Sequence, residues 1–435
     1  MSNVQVQEYL TQGAMFESQG KYEDALEYYD RALGIDPTNH DAYISKGVAL
    51  ANLERNDEAR AQFENALKAN RQSGLAYFHL GNLALLAQDM ALGFENYNKA
   101  ISNGFDNAQI YYNLGLLHEE NGETELALRN YSKAIGKDPV RPEIRLRKAQ
   151  LQVYLQAYQE ALESLDEMIL TNPDIFEGYQ MKFVVLMQLG HLDKAEAHLA
   201  KAQEMFPGDA DFKINRSSLL LARGRPDEAF ALLGEIEKGA SDDQTLHKVF
   251  MERAHIHASG QEVDKAIAEL EKAKSLAAKS GDYSQDAQFL LTNCFVAKND
   301  FAKVLEYARE LREKAEEGNQ YVAACMYYEP LALKNLGRMD EAEGLYRDAI
   351  EEFRSMGLSQ PGNLETYLLR AMCHFDLGEH EESYELVEYV IRLKPDMPEP
   401  RMQKIAILEA MGRTEELEEE KKAVNAMLPP EARLK

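Results

Sequence analysis

The sequence lacks tryptophan altogether, has only three cysteines among its 435 residues and uses few β-branched residues. Cys294, Cys325 and Cys373 have no CxxC spacing and cannot form a disulfide framework. We therefore expect three small buried side chains in a reducing cytoplasm. The scarcity of β-branched residues, together with abundant Ala, Leu and Glu, favours helix throughout the chain.

Long apolar runs and a surplus of positive charge are also missing. No stretch approaches about 18 uninterrupted apolar residues, so we expect no membrane-spanning helix. The opening residues lack the charged and apolar parts of a signal peptide, which agrees with a cytoplasmic protein. The chain has 48 Lys and Arg against 74 Asp and Glu, a net charge of −26. Nucleic-acid phosphates and anionic membranes would be repelled, so neither is expected as a partner, while basic or apolar ligands are favoured.

The strongest positive feature of the sequence is a repeat of 34 residues. Counted from Val6, seven units run without a gap to Asp243, and five further units with short insertions follow to Glu431. The five later units begin near His247, Gln285, Ala323, Leu364 and Pro398. The marker residues that recur 102 positions later are Tyr9 and Tyr111, Gly13 and Gly115, Ala25 and Ala127, Tyr29 and Tyr131, Ala32 and Ala134, and Pro37 and Pro139.

The spacing of small residues within a unit predicts two helices that cross closely. The eighth and twentieth positions are mostly Gly or Ala, which ridge-into-groove packing requires. Glycine is frequent at the fifteenth position, where it suits the left-handed cap between two helices. Proline near the end of the second helix stops that helix and redirects the chain. Each unit is therefore expected to be a helix hairpin, with a large residue at position 24 that faces the next unit.

On these residues the chain resembles the tetratricopeptide repeat (TPR) family over nearly its whole length. The resemblance implies an all-α solenoid of about twelve helix–turn–helix units in a right-handed superhelix. First helices would line a concave groove and second helices would lie outside. Residues 6–243 are expected to form seven regular units, and residues 244–431 five units with insertions, the last of which is a charged cap.

In the family, the second, fifth, sixth, ninth and twelfth positions of each unit face the groove. In this chain those positions are largely apolar, and an exposed apolar surface usually marks an interaction site. The alternative is that neighbouring first helices touch, which would make about half of these side chains packing contacts. The predicted peptide-binding groove consists of Phe78, Asn82, Leu85, Tyr112, Asn113, Leu116, Leu146, Arg147, Met181, Val184, Met187, Tyr327 and Tyr328.

Asn82, Asn113 and Arg147 occupy three slots that in TPR cochaperones hold a peptide carboxylate together with two lysines. Here Phe78 and Glu143 stand in the two lysine slots, which weakens charge-assisted binding of a carboxylate. The alternative is ordinary polar surface with an Arg147–Glu143 helix pair. Nearby basic residues would keep a local positive patch that favours some acidic ligand: Arg141, Arg145 and Lys148.

No catalytic motif is present, since HExxH, GxSxG, P-loop and GxGxxG elements are all missing from a suitable context. His255 and His257 are two apart on a helix and point to different faces, so they cannot share a metal ion. We expect a non-catalytic scaffold or adaptor without cofactors or metals that binds partner proteins or peptides. A peptide-responsive sensor that releases a second partner and a recognition module for a separate enzyme are alternatives. A monomer is expected, and self-association through an apolar groove stays open.

Overall fold

The computed structural model describes residues 2–315, 319–359 and 362–427. These residues form twenty-four α-helices and no strand. The last four residues of the predicted final unit, 428–431, lie outside the described residues. In chain order the helices are α1 (Ser2–Ser18), α2 (Tyr22–Ile35), α3 (His40–Asn52), α4 (Asn56–Ala69), α5 (Gly74–Leu86), α6 (Met90–Ser102), α7 (Ala108–Glu120), α8 (Thr124–Lys137), α9 (Pro142–Tyr154), α10 (Tyr158–Thr171), α11 (Phe176–Gln188), α12 (Leu192–Met205), α13 (Ala210–Ala222), α14 (Pro226–Gly239), α15 (Asp243–Ser259), α16 (Val263–Lys279), α17 (Gln285–Ala297), α18 (Phe301–Lys314), α19 (Tyr321–Asn335), α20 (Met339–Ser359), α21 (Leu364–Asp376), α22 (His380–Leu393), α23 (Pro398–Met411) and α24 (Thr414–Met427).

The helices form two compact bodies, Met1–Phe206 and Pro207–Lys435. The first body contains α1 to α12 and the second contains α13 to α24. Within each body, every helix packs against the next one along the chain, so each body is a stack of helix hairpins. The all-α repeat architecture is confirmed. The handedness of the superhelix and the change in repeat spacing at residue 243 stay predictions.

Close crossing within a hairpin depends on the glycine at the eighth position. A Cβ atom built on Gly47 would lie 2.5 Å from Cε1 of Phe63, the fully buried aromatic residue at position 24 of the same unit. The ring therefore packs on its own first helix, which the sequence analysis did not anticipate. The same pairing recurs between Gly13 and Tyr29, Gly81 and Tyr97, and Gly115 and Tyr131.

The turn between the two helices of a hairpin requires a left-handed residue at the fifteenth position in all twelve predicted units. Glycine supplies it in seven of them, for example Gly122 with a φ of 74°. The other five units use a residue with a side chain at the same φ, and these residues are Glu54, Gln88, Gln156, Gln261 and Asn299. The chain therefore adopts the turn even where the residue disfavours it.

The three cysteines lie among packed side chains, as predicted. Cys325 and Cys373 are buried and Cys294 is half-buried. Burial raises the pKa of the Cys325 thiol to about 12, so this sulfur is a neutral packing group. No described helix is long and apolar enough to cross a membrane.

Candidate functional site

One side of the first helices in the first body is only partly covered by the packing. Position 8 faces the second helix of the same unit, and position 7 faces the preceding second helix. Lys46 on α3 pairs with Asp30 on α2 at 2.5 Å, and Lys182 on α11 pairs with Asp166 on α10. Positions 2, 6, 9 and 13 form the opposite stripe, because they are spaced by three or four residues on a helix.

We call this stripe on α5, α7, α9 and α11 the first-helix face. It contains part of the predicted groove, and the remaining predicted residues of these helices, at positions 5 and 12, border it. Its residues are Leu75, His79, Asn82 and Leu86 on α5, Gln109, Asn113, Leu116 and Glu120 on α7, Glu143, Arg147, Gln150 and Tyr154 on α9, and Glu177, Met181, Val184 and Gln188 on α11.

The large predicted groove residues at position 5 are mainly packing groups. The ring of Phe78 lies 5.2 Å from that of Phe105 and 6.3 Å from that of Tyr97. The ring of Tyr112 lies 5.8 Å from that of Tyr131. These rings pack on the second helix and the following turn of their own unit, whereas the alternative expected contacts between neighbouring first helices. Five aliphatic or methionine residues of the predicted groove are also half-buried, namely Leu85, Leu116, Leu146, Met181 and Met187.

Asn82 and Asn113 lie together, but their polar groups are occupied within the protein. Asn113 is buried, and its Nδ2 donates to Asn82 Oδ1 at 2.9 Å and to the hydroxyl of Tyr97 at 2.9 Å. Tyr97 in turn donates to Asn82 Oδ1 at 2.8 Å, and Gln109 Nε2 donates to Asn113 Oδ1 at 2.8 Å. Burial raises the pKa of Tyr97, so its hydroxyl stays protonated as a donor. This network joins neighbouring units.

Arg147 is joined to a glutamate rather than to the two asparagines. Its Nη2 lies 3.0 Å from Glu119 Oε1, and its Nε donates to Glu119 Oε2 at 3.1 Å. The hydroxyl of Tyr131 donates to the same oxygen at 2.6 Å. The alternative Arg147–Glu143 pair is therefore wrong, because Glu143 pairs with Arg141 at 2.7 Å. The guanidinium that a carboxylate clamp would need is already neutralised.

Only part of the predicted positive patch lies at the first-helix face. Arg141 reaches the face, where it donates to Gln109 Oε1 at 2.9 Å and pairs with Glu143. Arg145 is buried, donates to the carbonyl oxygen of Pro139 and has its Nε 3.6 Å from Glu167 on α10, so it serves a contact between helices. Lys148 stands at position 7, outside the stripe that forms the face.

Two exposed apolar residues of the face were missed by the sequence analysis. Leu86 is 71% exposed and Tyr154 is 67% exposed, and they are the last residues of α5 and α9. Both stand at position 13, one turn after the ninth position, so the helical period could have found them. The predicted residue Val184 is 47% exposed at position 9 of α11.

In the second body, the structure places Tyr327 in the core rather than on a groove. Its hydroxyl donates to Asp376 Oδ2 at 2.9 Å, and the hydroxyl of Tyr346 donates to the same oxygen at 3.0 Å. Lys334 neutralises Asp376 at 2.9 Å. Tyr328 is half-buried, with its ring 5.9 Å from that of Tyr327.

Asp41, His40 and Ser73 are arranged like the carboxylate, histidine and nucleophilic serine of a hydrolase. His40 Nδ1 lies 3.0 Å from Asp41 Oδ1, and His40 Nε2 lies 2.7 Å from Ser73 Oγ. However, Ser73 is buried and its Oγ accepts the N–H of Ala76 at 3.1 Å as the N-cap of α5. The arrangement therefore ties two units together and offers no access to a substrate. The described residues also contain no group of three side chains that could hold a metal ion.

Comparison with known proteins agrees with the repeated hairpin. Sequence models described as tetratricopeptide repeat match residues 6–39, 44–108, 112–174, 186–249 and 331–398, about two thirds of the chain together. Over 91 residues the chain is 32% identical to BBSome complex member BBS4 of Bos taurus, covering 21% of this chain and 17% of that protein. Over 63 residues it is 35% identical to an uncharacterized protein of Methanocaldococcus jannaschii, covering 14% of this chain and 73% of that protein.

Two solved structures have a related arrangement of helices. The C-terminal part of a TPR repeat-containing protein from Cytophaga hutchinsonii is 16% identical, with 61% of this chain and 95% of that chain covered and a TM-score of 0.43. A tetratricopeptide repeat protein from Parabacteroides merdae is 19% identical, with 67% and 99% covered and a TM-score of 0.38. The hairpin geometry, the recurring glycine–aromatic contact and the matched segments lead to one conclusion: the chain belongs to the tetratricopeptide repeat family.

Proposed function

We propose that this protein is a non-catalytic scaffold or adaptor that binds a partner polypeptide on the first-helix face of α5 to α11. TPR repeats in general support protein-interaction scaffolds. The observation that carries the proposal for this chain is the exposure of Leu86, Tyr154 and Val184 on one stripe of three first helices. Removal of such side chains from water by a partner favours binding, and the entropy cost of association offsets part of this gain.

The half-buried aromatic residues beneath the stripe have a different role in this proposal. Phe78 and Tyr112 contact the core residues Tyr97 and Tyr131 of their own units, so their rings hold the two helices of a hairpin together. A rigid surface loses little conformational entropy on binding. Tyr154 is the expected centre of the interface, because exposed tyrosine combines a large apolar ring with a hydroxyl that can stay hydrated.

The test compares two triple variants in selection from a display library of random peptides. The face variant carries Leu86→Ser, Tyr154→Ser and Val184→Ser. The matched control carries Leu126→Ser, Leu170→Ser and Met205→Ser, which are exposed residues of the second helices α8, α10 and α12. Circular dichroism first checks that both variants keep the helix content of the wild type.

The proposal expects peptides that bind the wild type and the control variant and fail to bind the face variant. Peptides that bind all three proteins equally would contradict it. Loss of binding by the control variant alone would place the interface on the second helices and would also overturn the proposal.

A further inference from the structure

The first-helix face carries free negative charge beside its apolar side chains. Glu120 is the last residue of α7, and Glu177 lies in the first turn of α11. Both side chains are exposed, and neither has an ion-pair partner in the part of the chain that the structure describes. The two carboxylates therefore mark opposite ends of the helices that form the face.

The other carboxylates at this surface are already neutralised. Glu119 pairs with Arg147 at 3.0 Å, and Glu143 pairs with Arg141 at 2.7 Å. Arg147 is the only Lys or Arg among the residues of the face, and its guanidinium already pairs with Glu119. The face thus offers two free carboxylates and no free cation among its described residues.

One edge of the first-helix face has an acidic side chain between two apolar ones. Leu86, Glu120 and Tyr154 all occupy position 13, on the successive first helices α5, α7 and α9. Side-chain contacts join these helices, between Asn82 and Asn113 and between Glu119 and Arg147. A ligand that follows this edge therefore meets an apolar, then an acidic, then an aromatic side chain.

We propose that the partner segment is basic and amphipathic, with Lys or Arg between large apolar side chains. This inference rests on the proposed function of the first-helix face. The apolar side chains contact Leu86, Tyr154 and Val184, and the cations pair with Glu120 and Glu177. An acidic segment or a free C-terminal carboxylate would meet two unpaired carboxylates without a compensating cation, which opposes binding.

The experiment repeats the peptide selection with charge-reversed variants of the full chain. One variant carries Glu120→Lys and Glu177→Lys. The matched control carries Glu163→Lys and Glu204→Lys, which are exposed carboxylates of the second helices α10 and α12. Thermal unfolding followed by circular dichroism confirms that both variants fold.

Peptides selected on the wild type and on the control are expected to contain Lys or Arg flanked by large apolar residues. For the strongest such peptide, reversal of both charges should raise the Kd by about tenfold or more at low salt. The difference in Kd between the charge-reversed variant and the control should become smaller at higher salt, because salt screens exposed ion pairs.

Two other results separate this inference from the proposed function. Neutral or acidic peptides that still require Leu86, Tyr154 and Val184 would overturn the basic partner and leave the interface standing. Peptides whose binding is unaffected by those three residues would overturn the interface, and the charge inference would fail with it.

Discussion

Gly47 shows how one residue fixes the approach of two helices. The ring of Phe63 occupies the space where a Cβ atom would stand. Gly47→Ala should destabilise this hairpin by about 1–3 kcal/mol, because the ring must move or leave its rotamer. Gly34→Ala is the matched control, since Gly34 lies in α2 with open space around it and should gain about 0.5–1 kcal/mol. Amide hydrogen exchange measures both effects, in α3 and α4 for Gly47→Ala and in α1 and α2 for Gly34→Ala. Protection in α3 and α4 that is unchanged by Gly47→Ala would contradict the packing argument.

The buried imidazole of His198 predicts a loss of stability in mild acid. Burial lowers its pKa from 6.5 to about 4, and its Nε2 lies 2.9 Å from the carbonyl oxygen of Tyr179. The unfolded chain therefore binds more protons than the folded chain between about pH 6.5 and pH 4. The stabilisation is complete above pH 6.5 and is lost as the pH falls through that window, by about 1–2 kcal/mol between pH 7 and pH 5.

His198→Gln keeps an amide donor for the carbonyl and removes the titration. Urea unfolding of the wild type and the variant at pH 7 and pH 5 measures the difference. The variant should lose less stability than the wild type over this range. An equal loss in both proteins would mean that His198 does not carry the effect.

At the scale of the element, the turn between two helices is the most regular feature of the fold. Gln156 has a φ of 58° at the position where Gly122 has a φ of 74°. Gln156→Gly should stabilise the turn of the fifth unit by roughly 0.5 kcal/mol, since the strain it relieves exceeds the entropy cost of glycine. Gly122→Ala should destabilise its hairpin by about 1 kcal/mol. Denaturant midpoints test the pair, and shifts of the same sign would contradict the role of the left-handed turn.

The sequence predicted the elements well and their exposed residues less well. Helix pairs, the small residues at crossings and the glycine turns follow from spacing, because each unit repeats the same local geometry. Whether Arg147 forms an ion pair with Glu119 or with Glu143 depends on how α7 and α9 pack, and the spacing of residues in the sequence does not determine that packing. Leu86 and Tyr154 lie at the thirteenth position, one residue beyond the last groove position that the family resemblance implies.

At the scale of the whole molecule, the net charge favours some ligands over others, and the repeat architecture confines the effect of a substitution to nearby units. A net charge of −26 attracts basic ligands over long range and repels acidic ones. In repeat proteins stability is approximately a sum over units and their neighbours, so substitutions on the first-helix face should perturb binding while distant units stay folded. Because the sequence alignment covers only 17% of BBS4, the partners of that protein give no guide to those of this chain.

The central claim is that the first-helix face binds a polypeptide through its exposed apolar side chains. Fluorescence anisotropy of the strongest selected peptide with Tyr154→Ala and Leu170→Ala tests it most directly. Tyr154 lies on the face, whereas Leu170 is 83% exposed on the second helix α10. Tyr154→Ala should raise the Kd by about tenfold or more, and Leu170→Ala should leave it unchanged. An unchanged Kd for Tyr154→Ala would contradict the proposed interface.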